Sequence, residues 1–202
     1  MDARTTQNLP TFTIEPTTTP IDAARRAELL ENPTFGRVFT EHMAIIRYTE
    51  GKGWHDAKIT ARRPLSIDPA ASVLHYGQEI FEGMKAYRTE DGGVVTFRPD
   101  ANARRFRASA ERMAMADLPE ELFIEAVDQL VKIDAAWVPS GEGQRLYLRP
   151  FMISDEVALG VKPASEYLFI VIACPVGTYF SKGCVSVWVS EDYTRAAPGG
   201  TG

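Results

Sequence analysis

Apolar and polar positions change period several times along the chain, and each change marks an element. Residues 1–20 are rich in Thr and Pro and carry no period, which predicts a loosely ordered or extended segment. Asp22 then opens the helical stretch AARRAELLE. Asn32-Pro33 ends it, because the residue before a proline avoids the helical region. Stretches 42–48 and 54–59 read as strands around the turn-like Glu50-Gly51-Lys52-Gly53. Residues 81–88 and 94–98 read as a hairpin whose loop is supplied by Glu90-Asp91-Gly92-Gly93. Two helices follow. Pro99-Asp100 begins the first, with Phe106, Ala110 and Met113 on one face. Pro119 heads the second, with Glu120 and Glu121 in its first turn and Leu122, Ala126, Leu130, Ile133 and Trp137 as its apolar stripe. Strands return at 145–153, 167–173 and 185–189. The middle one is a continuous apolar run, which predicts a strand covered on both faces. Strand blocks around a helix pair predict an α+β fold, a mostly antiparallel sheet with flanking helices, not a βαβ repeat. The expected organisation is an extended segment over 1–20, a small α+β domain over 21–173, a linker over 174–184 and the start of a larger, truncated domain over 185–202.

Composition narrows the partners. The 202 residues carry 22 Lys+Arg against 27 Asp+Glu, a net charge of -5, without a dominant basic stripe; this argues against nucleic acid and against a polybasic membrane anchor. The apolar run at 167–173 is far too short to cross a bilayer. The first residues, MDARTTQNLPTFTIEP, show no apolar signal region, so the chain reads as cytoplasmic. Cys174 and Cys184 form neither a disulfide framework nor a zinc pattern, and His42, His55 and His75 are scattered, so no metal is expected.

Two local features could carry chemistry. In Arg145-Leu146-Tyr147-Leu148-Arg149-Pro150 the strand period puts Arg145, Tyr147 and Arg149 on one face. Such a face either lines a polar pocket, where an arginine fork matches a carboxylate, or is simply solvated. In Asn102-Ala103-Arg104-Arg105-Phe106-Arg107 a basic run opens a helix. Arginine suits phosphate, but Arg104 and Arg105 differ by about 100° around the axis, so one of them at most faces a given pocket. The tail Pro198-Gly199-Gly200-Thr201-Gly202 resembles a loop that approaches a ligand, without the Lys of a phosphate-binding P-loop.

The segment His75-Tyr76-Gly77-Gln78-Glu79-Ile80-Phe81-Glu82-Gly83-Met84-Lys85-Ala86-Tyr87 closely resembles the branched-chain amino acid aminotransferases, pyridoxal-phosphate enzymes of fold type IV. Phe35-Gly36, Glu41-His42-Met43, Phe97-Arg98-Pro99, Trp137-Val138-Pro139, Leu146-Tyr147-Leu148-Arg149-Pro150, Leu159-Gly160-Val161, Cys174-Pro175-Val176-Gly177, Arg195 and the glycine-rich tail continue the likeness in order. The resemblance implies that the complete protein exchanges amino groups between leucine, isoleucine or valine and 2-oxoglutarate, using pyridoxal 5'-phosphate. It implies Arg105 for the cofactor phosphate, Tyr147 and Arg149 for substrate carboxylates, and Phe35 and Tyr76 as aromatic walls of the side-chain pocket. Tyr76 would serve the partner's site, so a homodimer is implied.

The family's cofactor-holding lysine follows shortly after its Gly-Gly-Thr-Gly turn, and none of Lys52, Lys58, Lys85, Lys132, Lys162 or Lys182 matches that position. No catalytic residue is therefore assigned within the chain. It reads as the N-terminal portion of such an enzyme, inactive alone. The alternatives are another fold-type IV enzyme, such as a D-amino-acid transaminase or an aminodeoxychorismate lyase, or a non-catalytic association module.

Overall fold

A computed structural model of the chain describes residues 9–178 and 184–191. Its elements in order are β1 (Thr13–Glu15), α1 (Ala23–Glu31), β2 (His42–Thr49), β3 (Gly53–Ala61), α2 (Ser72–Tyr76), β4 (Glu79–Phe81), β5 (Met84–Arg88), β6 (Val94–Thr96), α3 (Pro99–Arg112), α4 (Glu120–Ile133), a 3-10 turn (Ala135–Trp137), β7 (Arg145–Ser154) and β8 (Glu166–Val176). The strands form one sheet in the order β1-β3-β2-β8-β7-β5-β6, with β4 beside β5 on the same edge of β7. Every pairing is antiparallel except β1 with β3.

Helices α3 and α4 cover one face of the sheet. Phe106 of α3, Phe123 of α4 and Phe169 of β8 meet ring to ring at 5.4, 5.3 and 5.7 Å, all three fully buried. Each contributes roughly 1.5–3 kcal/mol by leaving water. Most of the stripe expected on α4 is observed: Leu122, Ala126 and Leu130 are buried, Ile133 is half-buried against the core, and Trp137 is buried in the 3-10 turn. On the opposite face a smaller cluster of Ile153, Leu168 and Ile170 lies under Leu65, Ile67 and Val73. β8 is thus buried on both sides, which accounts for its unbroken apolar run.

Three expectations need correction and one is narrowed. The apolar run marks only the middle of β8. Cys174, Pro175 and Val176, expected in the linker, still pair with Tyr147, Leu146 and Arg145. The stretch 81–88 is not one strand. Phe81 pairs with Phe151 and Met84 with Leu148, so register is the same on both sides, but the ladder lapses at Glu82 and Gly83. These lie opposite Pro150 and Arg149. Glu82 N–H still donates to Pro150 O at 2.8 Å, but a proline nitrogen has no hydrogen to return. Of the N-terminal segment, the described residues 9–20 take the extended alternative and are tied down. Besides the β1–β3 ladder, Thr17 N–H donates to His42 Nε2 at 3.0 Å, which leaves His42 Nδ1 to donate to Asp134 at 2.7 Å. Finally, 185–189 forms no strand. Val185, Val187, Trp188 and Val189 are exposed, and a strand without a hydrogen-bonded neighbour has nothing to hold it. The tail with Arg195 and Gly199-Gly200-Thr201-Gly202 lies outside the described residues, as does 179–183 of the expected linker. Among the described residues no helix is long and apolar enough to cross a membrane.

Candidate active site

The alternation of β7 holds in the structure. Leu146, Leu148 and Pro150 are buried on the helix side, while Arg145, Tyr147 and Arg149 are half-buried on the other. Antiparallel pairing sets Lys85 and Cys174 on either side of Tyr147, and Ile172 beside Arg149. Over this row folds the segment after α1. Phe35 meets the Tyr147 ring edge-on at 5.1 Å. A cavity of about 180 Å³ results, lined by Phe35, Gly36, Phe39, Tyr147, Arg149, Ile172, Ala173 and Cys174. Its wall is mostly apolar and its polar groups converge from one strand, the usual plan of a small-molecule site. Burial pushes the Cys174 thiol up from its ordinary value, so it serves as an apolar wall rather than a thiolate.

Arg149 is held in place by two neighbours. Its guanidinium stacks on Phe81, 4.3 Å from the ring centroid. Its Nε and Nη2 both donate to Tyr147 Oη, at 3.0 and 2.8 Å. The strand thereby presents a cation and a phenol as one unit. On the other side of the Tyr147 ring is a second cavity, of about 210 Å³, lined by Gly83, Met84, Lys85, Tyr87, Phe97, Asn102 and Tyr147. Gly83 is what allows the ring to lie there, since a β-carbon at that position would sit 2.6 Å from Tyr147 Oη.

Arg105 approaches from the helix layer. In the burial alternation of β4 and β5, Ile80, Glu82, Met84 and Ala86 point toward α3, while Phe81 and Lys85 point the other way. Glu82 is the one charged residue in that inward row. Its carboxylate accepts Arg105 Nε at 2.9 Å, Arg105 Nη2 at 2.7 Å and Asn102 Nδ2 at 2.7 Å. Asn102 also donates to Gly83 O at 3.3 Å and lines the second cavity. Arg105 and the Tyr147–Arg149 pair therefore reach the site from opposite faces of the sheet. They meet around Gly83, where β5 has not yet gained its neighbour β6. Arg104 points elsewhere and pairs with Asp100 at 2.6 Å.

Of the residues singled out in the sequence, the structure brings Phe35, Tyr147 and Arg149 into one cavity, whereas Arg105 lines neither cavity and is linked to the second through Glu82 and Asn102. Tyr76 stands apart. It is exposed at the end of α2, and its hydroxyl donates to Leu159 O. Sequence reasoning missed Glu82, Asn102 and Cys174 as neighbours of the site. The one signal for Glu82 was a carboxylate on the inward parity of an otherwise apolar strand.

No family model matches the chain. Individual relatives do. A probable branched-chain-amino-acid aminotransferase of Streptomyces coelicolor is 58% identical over 196 residues, 96% of this chain and 54% of that protein. The branched-chain-amino-acid aminotransferase of Mycolicibacterium smegmatis is 53% identical over 194 residues, 95% of this chain and 53% of that protein. The chain thus spans about half the length of the curated relatives it matches. A branched-chain aminotransferase from Thermoproteus uzoniensis, solved with norvaline, shares the fold with a TM-score of 0.53 at 22% identity, covering 69% of this chain and 43% of that one. The architecture is that of the N-terminal domain of the fold-type IV aminotransferases. Within that class, the chain matches branched-chain-amino-acid aminotransferases over about half of their length.

Proposed function

We propose that a polypeptide of the relatives' full length carrying this chain transfers amino groups between leucine, isoleucine or valine and 2-oxoglutarate, with pyridoxal 5'-phosphate as cofactor. The observation behind this reading is the cavity shared by Phe35, Tyr147 and Arg149 in a chain more than half identical to such enzymes. When bound, the cofactor supplies an electron sink for negative charge at the substrate's α-carbon. The residues of this chain fit the tasks that remain. Arg105 holds the phosphate: its guanidinium is largely exposed, and its Nη1 edge has no partner among the described residues. Arg149 and Tyr147 take a carboxylate, the arginine by its planar fork and the phenol by its hydroxyl. Phe35, Phe39, Ile172 and Ala173 exclude water around an aliphatic side chain.

Three further assignments belong to this reading. The small domain runs through the end of β8, and the residues beyond 184 open a second domain. The protein acts as a homodimer through the exposed surface around Tyr76. It works in the cytoplasm, which fits two free cysteines, one of them exposed.

The test is an assay of the full-length polypeptide with L-leucine and 2-oxoglutarate, which should yield glutamate and the branched 2-oxo acid. Turnover of D-alanine instead, or none of either, sinks the reading. In the same assay Arg149→Ala should lose at least about tenfold more from the glutamate half-reaction than from the leucine half-reaction; equal losses reject its role toward the acidic co-substrate.

A further inference from the structure

We infer that Glu82 is a positioning residue for Arg105: its carboxylate fixes the plane of the guanidinium so that the opposite edge is held ready for an oxyanion. This rests on the reading that Arg105 takes the cofactor's phosphate.

The geometry is specific. Glu82 engages the Nε–Nη2 edge of Arg105 with both carboxylate oxygens, at 2.9 and 2.7 Å. That leaves Nη1, with its two hydrogens, on the far edge. The carboxylate is itself fixed. Asn102, one helical turn before Arg105 on α3, donates to Glu82 Oε2 at 2.7 Å. The Glu82 backbone is tied to Pro150 O at 2.8 Å in the middle of β7. The orienting partner is thus braced from both the helix and the sheet.

Stability alone does not explain the arrangement. The Glu82 side chain is 10% exposed and that of Arg105 is 62% exposed. A carboxylate buried on an apolar strand face is costly to desolvate, and a guanidinium open to water returns little of that cost. An apolar residue in the inward row of Ile80, Met84 and Ala86 would pack there without the desolvation. What Glu82 does provide is direction. A long, exposed arginine would otherwise sample many rotamers, and ordering it would oppose binding.

Charge and orientation make opposite demands, which makes the inference testable. A negative charge beside Arg105 weakens its pull on a phosphate, so Glu82→Gln should tighten binding if the pairing matters only through charge. If Glu82 positions Arg105, the same change should weaken binding, because one of the two accepting oxygens becomes an NH2 donor set against the N–H donors of Arg105 or Asn102. The full-length apoprotein is titrated with pyridoxal phosphate, and inorganic phosphate is used as a competing probe. Glu82→Gln and Glu82→Asp should each raise both dissociation constants about tenfold. Added to Arg105→Ala, neither should have any further effect. Tighter or unchanged binding in either folded variant overturns the inference. A purely structural role would lower the melting temperature and leave the dissociation constants in place, which also overturns it; Glu82→Asp keeps the charge and stands as the measurement if Glu82→Gln does not fold. Should Arg105→Ala alone leave binding unchanged, the assignment of Arg105 falls, and this inference falls with it. Loss confined to the Glu82 variants' prediction leaves Arg105's own role standing.

Discussion

Gly83 shows how narrowly the site is drawn at the scale of single residues. Its missing side chain is the space in which Tyr147 Oη lies, 2.6 Å from where a β-carbon would be. Tyr147 in turn accepts both hydrogen bonds from Arg149, so a displaced ring takes its cation's anchor with it. Gly83→Ala should therefore leave the fold intact at a cost of about 1–3 kcal/mol. In the full-length polypeptide it should lower kcat/KM about tenfold or more, the scale of a disturbed charged hydrogen bond. Stability by chemical denaturation and kinetics on the same sample check both parts; wild-type kcat/KM would show that the ring is not confined. At this scale the sequence was only partly legible. Strand period alone put Tyr147 and Arg149 together, whereas spacing could not choose between Arg104 and Arg105. Glu82 was hidden because its role depends on Asn102 and Arg105 of α3, 20 and 23 residues later in the chain, and period carries no information about what crosses from another layer.

Whole elements were read best where a single physical rule sufficed. Asp22 caps α1 as its position implies, its side chain accepting Arg25 N–H at 2.8 Å. The apolar stripe of α4 and the doubly buried core of β8 follow from periodicity and hydropathy. The ends of β8 and the lapse between β4 and β5 did not, because both depend on the neighbour. Polar and small residues extend β8 because β7 is there to pair with them, and Pro150 on one strand interrupts the strand opposite. β8 also supplies a pH-dependent contribution to stability. Its Tyr167 is buried, and burial pushes the phenol up to about 12 from 10.0. The folded chain thus holds this proton more tightly than the unfolded one. The resulting stability is fully present below pH 10 and is lost as the pH rises toward 12. Its size is about 2–3 kcal/mol. Tyr167→Phe should lie within about 1.5 kcal/mol of wild type near pH 7, since the hydroxyl's bond to Ala114 O is long, 3.5 Å, and its other contact is a single backbone hydrogen bond at Ala164. Between pH 10 and 12 it should lose less stability than wild type. Parallel loss in the two proteins, followed by urea denaturation, would show that the phenol is not the group responsible.

At the scale of the molecule, α2 and the loop after β7 carry apolar side chains that the fold itself does not use. The loop after β7 is laced to α2: Ser72 N–H donates to Glu156 O at 2.9 Å, Ala158 N–H to Ala70 O at 3.1 Å, and the Tyr76 hydroxyl to Leu159 O. The backbone there is well satisfied, yet the side chains of Leu74, Tyr76, Val157, Leu159 and Val161 all face solvent. Side chains scattered singly need no explanation, but five exposed ones on two interlocked segments are a grouping of the kind that marks an association surface. A second copy of the same protein is the partner proposed for it, and a net charge of only -5 opposes self-association weakly. The consequence reaches the site, because Tyr76 lies in the patch and not in the cavity of Phe35, Tyr147 and Arg149. If it lines a pocket at all, that pocket belongs to the neighbouring copy. Changing Leu159 and Val161 to Glu places two unpaired charges in the contact without touching the cavity. The dimer dissociation constant of the full-length polypeptide should then rise by about 100-fold or more, the effect of roughly 3 kcal/mol. Sedimentation velocity across a concentration series reads this directly. Activity should fall with the dimer fraction and return as protein concentration is raised. A variant that remains dimeric at the lowest concentrations, or a monomer with full activity, would remove this face from the assembly and Tyr76 from the partner's site.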